Sequence, residues 1–396
     1  MDYRRYEDEN EYEYIYRLGT NKDMIGTWQD VADILNSELN YEYTESRYRK
    51  MYQAFSKMME ATQKHTANGY AEDLQRLKRD LEKERKKIQT EKVEYNKWLR
   101  EQARDEMICE AICDAIRELD AMPIPVPVYG GTHGRNGIVC FGDEHFGTEF
   151  SISGLHGEVL NQYSPEIFYD RMNSLMGQIL EICDRENLNE IYVYALGDFV
   201  DGILRVSQLM KLRYGVVEST VKYADYICKW LNELTQHVRV SYQMVRHGNH
   251  TELRMLGQPK GTFTTDNMDL VVAEMIKVRM ENNPNFSFVE NPTGYIFDNV
   301  CGFNILGLHG EVKSIGSAIK DFSHTYQTPI DILIAGHKHH SMSEAVGLCR
   351  DVIGVPSIMG TDDYAMKLNT TSNAGATFLI IEEGKGKVVE YAMKLR

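Results

Sequence analysis

Ile191-Tyr192-Val193-Tyr194-Ala195-Leu196 runs straight into Gly197-Asp198-Phe199-Val200-Asp201-Gly202. A short apolar run closed by glycine reads as a buried strand, and the carboxylates fall where the chain leaves the sheet. The arrangement recurs along the chain. Ile138–Phe141 leads into Gly142-Asp143-Glu144-His145-Phe146-Gly147, and Tyr242–Arg246 leads through His247 into Gly248-Asn249-His250-Thr251-Glu252. Asn304–Leu308 precedes His309-Gly310-Glu311, and Ile330–Ala335 meets Gly336-His337-Lys338-His339-His340. With Thr377–Ile381 as a further strand and amphipathic stretches between, the alternation predicts an α/β domain running to the C-terminus. Strand ends of such sheets are where ligand sites form. Glycines beside the polar residues permit sharp turns and close backbone approach.

Any one of these clusters alone is commonplace; their serial repetition is not. Of the 12 histidines, His145, His247, His250, His309, His337, His339 and His340 lie within them. Carboxylate, imidazole and amide oxygen form a mixed N/O donor set without thiolate, which favours Mn²⁺, Fe or Zn²⁺ over soft metals, with Mg²⁺ a further alternative. The seven cysteines are scattered and form no CxxC pair, the usage of reduced thiols in a cytoplasmic protein.

The order Asp-x-His, Gly-Asp-x-x-Asp, Gly-Asn-His, strand-terminal His and Gly-His-x-His resembles the calcineurin-like metallophosphoesterase superfamily, over roughly residues 130–396. The resemblance implies a four-layer α/β sandwich, two mixed β-sheets flanked by helices, with loops holding two divalent ions, Mn²⁺ foremost. It implies Asp143, His145, Asp198 and His339 around one ion. Asp198, Asn249, His309 and His337 would surround the other, so Asp198 is shared. One bridging carboxylate can hold two ions about 3.5–4 Å apart, a spacing suited to in-line attack at phosphorus by activated solvent. Asp198 and Asn249 thereby belong to the catalytic set. So does His250, left free of metal in the family, which would donate a proton to the leaving oxygen or touch the scissile phosphate. Family members often carry an acidic residue directly after Gly-Asn-His; here Thr251 intervenes before Glu252, which weakens that support. Asp201 is expected to orient a ligand from behind. Neither His247 nor His340 is expected to bind metal. Leu155-His156-Gly157-Glu158 echoes Leu308-His309-Gly310-Glu311, but no strand is expected before it, and coincidence explains it.

The first motif, Asp-Glu-His-Phe-Gly, resembles the Asp-x-His-Leu-Gly of DNA repair nucleases of the SbcD type. Protein Ser/Thr phosphatases of the superfamily carry arginine after the second motif, where this chain has Gly202 and Ile203. Arg205, Lys211, Arg213, Arg254 and Lys260 follow the second and third motifs and could bind flanking phosphates. A solvated basic face is the other reading. Gly257–Gly261 reads as a mobile loop near the site.

Met122-Pro123-Ile124-Pro125-Val126-Pro127 cannot continue a helix, and it marks the boundary of the α/β domain, 121–396. The region before it is expected to be all-helical. Residues 1–20 are polar and acidic and read as frayed. Trp28, Val31, Ala32 and Leu35 share a helical face, and Thr44 opens a second helix carrying Arg47, Arg49 and Lys50. Within 1–65 these helices resemble a helix-turn-helix that could touch DNA, or a plain bundle. Over 66–120, Leu74, Leu77, Leu81, Ile88, Tyr95 and Trp98 fall near heptad a and d positions, interrupted by Glu84 and Glu91. This segment is a spacer helix or, through 70–118, a coiled coil making a homodimer.

The 396 residues carry a net charge of −15, so bulk charge does not draw the protein to nucleic acid. No apolar run approaches the ~20 residues of a membrane helix, and no secretion signal opens the chain. The expectation is a cytoplasmic two-metal phosphodiesterase cleaving single- or double-stranded DNA, of phage or repair type (in the host cytoplasm if phage-encoded). A phosphatase or phosphodiesterase for small nucleotides, and a DNA-binding scaffold without turnover, are the alternatives.

Overall fold

Asn10 opens the first helix by accepting hydrogen bonds from Tyr12 N and Glu13 N, while the Glu13 carboxylate accepts one from the Asn10 backbone N–H. The computed structural model describes residues 3–63, 68–130, 134–202, 211–246, 248–252, 267–368 and 371–395. They divide into two compact units, 1–105 and 106–396.

In the first unit, α1 (Glu11–Thr20), α2 (Lys22–Ile25), α3 (Trp28–Leu39) and α4 (Glu45–Gln63) enclose Tyr14, Ile15, Leu18, Val31, Ala32, Leu35 and Tyr48. The expectation that residues 1–20 fray is therefore corrected over the described residues 3–20. Tyr14, Ile15 and Leu18 form an apolar stripe among acidic neighbours, and the reciprocal Asn10–Glu13 cap fixes its start. Arg17 secures the N-terminal arm. Its guanidinium donates to both oxygens of Glu9 at 2.7 and 2.9 Å and to the Arg4 carbonyl at 2.8 Å. The Arg17 hydrogen bond outweighs burial and holds the Glu9 carboxyl below its ordinary 4.5. The stabilisation is thus complete above that value and is lost as the pH falls through the lower folded-state one. Glu9→Gln is expected to remove about 1.5–3 kcal/mol from the local stability of α1 at neutral pH, and little in strong acid. Amide hydrogen exchange of Tyr14–Leu18 measures it; equal protection in both proteins at neutral pH would refute it.

A long helix, α5 (Asn68–Arg117), crosses from one unit into the other. Among its described side chains, Leu77, Leu81, Ile88, Val93 and Tyr95 are exposed.

The second unit begins with β1 (Arg135–Phe141), a hairpin of β2 (Phe150–Ser153) and β3 (Val159–Tyr163), α6 (Pro165–Glu186) and β4 (Glu190–Ala195). It continues through α7 (Val216–Leu234), β5 (Arg239–Met244), α8 (Met268–Met280), β6 (Phe286–Phe288), β7 (Ile296–Val300), β8 (Phe303–Leu308) and α9 (Ile315–Tyr326). It closes with β9 (Ile332–Ala335), β10 (Met342–Gly347), β11 (Arg350–Gly354), α10 (Asp363–Leu368), β12 (Gly375–Glu382) and β13 (Gly386–Lys394).

Two mixed sheets result, ordered β13-β12-β1-β4-β5-β6 and β10-β11-β9-β8-β7. Strand alternation sorts the side chains into layers. Ile138, Cys140, Tyr194 and Leu196 of the first sheet meet Ile296, Ile305, Ile332, Ile334 and Ile353 of the second. Val139, Phe141, Ile191 and Val193 point the other way, against α6, α7 and α8. Leu306, Leu308 and Leu333 pack on Ile315 and Ile319 of α9. This is the four-layer sandwich, preceded by a helical region. Both faces of each inner strand are covered, which is why those segments read as continuous apolar runs.

Register sets up the site. β1 and β4 are parallel with Phe141 opposite Ala195, β4 and β5 end together at Ala195 and Met244, and β8 and β9 at Leu308 and Ala335. The loops that follow emerge side by side. The proline segment is gripped by Asn285, which accepts from Val128 N at 2.7 Å and donates to Val126 O at 2.7 Å. Among the described residues, no helix is long and apolar enough to cross a membrane.

Candidate metal centre

Asp143 N donates to Gly197 O and His145 N to Asp198 O, each at 3.0 Å, so the first two motif loops are laced together. His337 N donates to the Asp143 carboxylate at 2.8 Å, and His250 N to that of Asp198 at 2.9 Å. Backbone amides thus aim both carboxylates. Three overlapping groups of donor atoms, each within 4.8 Å of one another, result: Asp143, His145 and His339; His145, Asp198 and His250; Asp198, His309 and His337. Asn249 joins the last, its Oδ1 lying 3.0 Å from His309 Nε2.

The backbone is strained for this. Ten described non-glycine residues have positive φ. Asn40, Asn187 and Gln327 end helices, and Cys301 and Cys349 lie in hairpin turns. The other five are Asp143 (54°), His145 (43°), Asp198 (57°), His337 (62°) and His339 (55°). Such conformations persist at functional sites where the surroundings over-determine them. Gly248 and Gly336 are needed for closeness: a Cβ at Gly248 would lie 2.6 Å from Asp198 Oδ1, and one at Gly336 2.9 Å from Asp143 Oδ2.

The donor atoms fit divalent cations. His145 Nε2 is buried without a hydrogen-bond partner, while Asp143 Oδ1 and Asp198 Oδ2, equally buried, face only imidazoles, His339 Nε2 at 3.3 Å and His309 Nε2 at 3.0 Å. His309 Nε2 is crowded by Asp198 Oδ2 at 3.0 Å, Asn249 Oδ1 at 3.0 Å and His337 Nδ1 at 3.1 Å, more than one nitrogen can serve by hydrogen bonding. His309 Nδ1 donates to Leu196 O at 2.9 Å, which fixes the tautomer and turns Nε2 inward. Electrostatics agree. Burial disfavours charge on His309, but Asp198 overrides it and lifts the imidazole to about 10. Burial likewise opposes ionisation of Asp143, yet His339 and His309 hold its carboxyl at about 2.

Asp201 stands behind the donors. Its Oδ1 lies 2.6 Å from His250 Nδ1 and 3.8 Å from His145 Nδ1, and Thr148 Oγ1 donates to its Oδ2 at 3.1 Å. Burial raises the Asp201 carboxyl, but the neighbouring His145 imidazole and the hydrogen bond with His250 more than reverse that. The acidic support for His250 thus comes from the second motif. Glu252, the other candidate for that support, is buried in an antiparallel bridge with Asn267. The same segment holds a residue the sequence reading missed, Asp269, whose carboxylate accepts from Gly248 N at 2.7 Å.

The basic candidates are placed differently. Arg213 pairs with Glu166 at 2.8 Å and lies 3.8 Å from Glu149; Lys211 pairs with Asp363 at 2.7 Å. Arg205, Arg254, Lys260, His247 and the Gly257–Gly261 stretch lie outside the described residues. His156 sits in the turn of the β2–β3 hairpin, so a strand does precede it, and it is exposed. His340 is half-buried beside Lys338 O. Arg47, Arg49 and Lys50 are exposed on α4, with Arg47 3.5 Å above the Tyr43 ring.

Among solved structures, the chain is similar to a dimetal phosphatase from Danio rerio (11% identity, 66% of this chain and 99% of that one, TM-score 0.31). It is also similar to a metallophosphoesterase from Sphaerobacter thermophilus (12%, 66% and 89%, TM-score 0.29) and to Vps29 complexed with zinc from Entamoeba histolytica (14%, 65% and 92%, TM-score 0.30). Likeness at that level adds nothing to the case made by the side chains. Sequence families say more. Residues 1–67 match the YonJ N-terminal domain and 77–119 the YonJ coiled-coil domain. The SPbeta prophage-derived uncharacterized protein YonJ of Bacillus subtilis (strain 168) is 32% identical over 399 residues, 98% of this chain and 97% of that protein. With identity of that order sustained along both chains, this protein belongs to the YonJ family.

Proposed function

We propose that this protein is a cytoplasmic, divalent-metal-dependent phosphodiesterase that hydrolyses DNA. The observation that carries the hydrolytic part is the convergence of Asp143, His145, Asp198, His309, His337 and His339 in overlapping groups of donor atoms, with Asn249 Oδ1 beside them. Asp143, His145, Asp198 and His339 would hold one cation, and Asp198, Asn249, His309 and His337 the other; Mn²⁺ suits the donors best. When bound, the cations supply the charge that polarises a phosphoryl group and acidifies a water. The chain's own residues do the rest. Asp198, held by His250 N, presents its carboxylate between the two donor sets. His250, with Nδ1 held by Asp201, is left to exchange a proton with the leaving oxygen through Nε2.

Support for DNA is the SbcD-like first motif and the exposed Arg47, Arg49 and Lys50 row on α4. Small nucleotides are the second reading, favoured by the ion pairs that occupy Lys211 and Arg213 beside the second motif. Purified protein with Mn²⁺ should nick or degrade DNA, and EDTA should stop it. Turnover confined to small phosphoesters would replace the first reading by the second; no turnover with any divalent metal would remove both.

Leu77, Leu81, Ile88 and Tyr95, exposed at heptad spacing on α5, support a homodimer through that helix. Leu81→Lys with Ile88→Lys should convert a dimer to a monomer in sedimentation equilibrium. A wild-type chain that is monomeric at tens of micromolar would end this proposal.

A further inference from the structure

The loop that presents Asn249 and His250 is gripped from behind by the start of α8. The Gly248 amide donates to Asp269 Oδ2 at 2.7 Å, and Asn267 Nδ2 donates to the Gly248 carbonyl at 3.2 Å. Thr251 Oγ1 reaches the same carbonyl at 3.1 Å, and Met268 N donates to Thr251 O at 2.9 Å. Asp269, Thr251 and Asn267 are all buried, Asp269 completely. On the opposite side the loop rests against Asp198, which accepts from His250 N at 2.9 Å. Alternate amides, Gly248 and His250, thus fall to two carboxylates from different elements.

We infer that Asp269 is a positioning residue: by holding the Gly248 amide it sets where Asn249 and His250 stand relative to Asp198. Several facts single it out. Its contact falls on the residue directly before Asn249, in a stretch where a single added carbon would collide with Asp198. Its backbone N–H is taken by Asn267 Oδ1 at 2.8 Å, which locks the side chain's origin. A fully buried carboxylate is a costly choice for packing alone. An acceptor is what the Gly248 N–H requires, so amide and carboxylate should both serve, and a methyl should not.

The inference rests on the metal-dependent reading above, and the test separates the two. Mn²⁺ binding to the full-length protein is measured by calorimetry, alongside kcat and KM for bis(p-nitrophenyl) phosphate across pH. Asp269→Ala should weaken Mn²⁺ binding at the weaker site by about 10–100-fold, the range for lost outer contacts to metal ligands. It should also lower kcat more than it raises KM. Asp269→Asn, which keeps an acceptor, should stay within about threefold of wild type on both readouts. Thr251→Val, nearly isosteric, should weaken Mn²⁺ in the same direction by a smaller factor, and it serves should Asp269→Ala not fold. Wild-type protein that binds no Mn²⁺ and cleaves nothing would overturn the functional reading itself. Wild type that does both, with Asp269→Ala or Thr251→Val unchanged, would overturn the positioning role alone. Equal losses in Asp269→Asn and Asp269→Ala would overturn it too, since charge rather than the amide contact would then matter.

Discussion

Asp198→Ala is expected to cut metal-dependent hydrolysis by about 10³-fold or more, and to reduce bound Mn²⁺ from two ions per chain to one or none. Asp198, like His145, belongs to two of the three donor groups, and it alone is assigned to both proposed cation positions, so its loss should strike both at once. Removing several kcal/mol of transition-state charge stabilisation corresponds to that factor at 1.36 kcal/mol per tenfold. Asp198→Asn separates charge from shape. Asparagine tolerates the left-handed backbone found there (φ 57°) and can still accept the His250 amide, so the loop should keep its form while cation binding fails. Elemental analysis after gel filtration gives stoichiometry, and initial rates give the loss. Two ions and full turnover in Asp198→Ala would show that the centre is misassigned.

His250→Ala should slow DNA cleavage by roughly 10²–10⁴-fold, the usual contribution of a positioned acid. It should slow bis(p-nitrophenyl) phosphate hydrolysis far less. The difference follows from the leaving group, because an alkoxide needs a proton whereas p-nitrophenolate departs without one. The geometry behind this is specific. His250 Nδ1 is 2.6 Å from Asp201 Oδ1, and its ring meets that of His145 edge-on with centroids 4.4 Å apart. Asp198 and Asp201 outweigh burial and raise its pKa, which favours the protonated form. Equal slowing on both substrates would assign His250 to the scissile phosphate instead. Undiminished DNA cleavage would remove it from the reaction.

Reading the chain alone located the strands that matter because each is buried on both faces and closed by glycine. Ile138–Phe141 and Ile191–Leu196 are apolar throughout, and their ends coincide in the fold to within a residue. Edge strands were less visible. β10 and β3 expose most of their side chains, so no apolar alternation marks them. α1 was hidden by composition: its core residues Tyr14, Ile15 and Leu18 are diluted by glutamate and arginine. The donor residues were legible through motif order, which places them one loop after another. Asp269 was not. It lies beyond the third motif in a helix's first turn, where an acidic residue is ordinary, and only tertiary folding brings it to Gly248. Neither could the ion pairs on Lys211 and Arg213 be foreseen, since their acidic partners come from other segments.

The left-handed donors carry an implication for how this chain can change over generations. At Asp143 and Asp198, asparagine is the neutral side chain that such a backbone accepts most readily, while valine, isoleucine or threonine would have to distort the turn. The proposed chemistry should therefore be removable by a single-nucleotide exchange of an aspartate codon without loss of architecture. A descendant that had abandoned the proposed hydrolysis should betray itself by asparagine at these two positions on an otherwise intact scaffold.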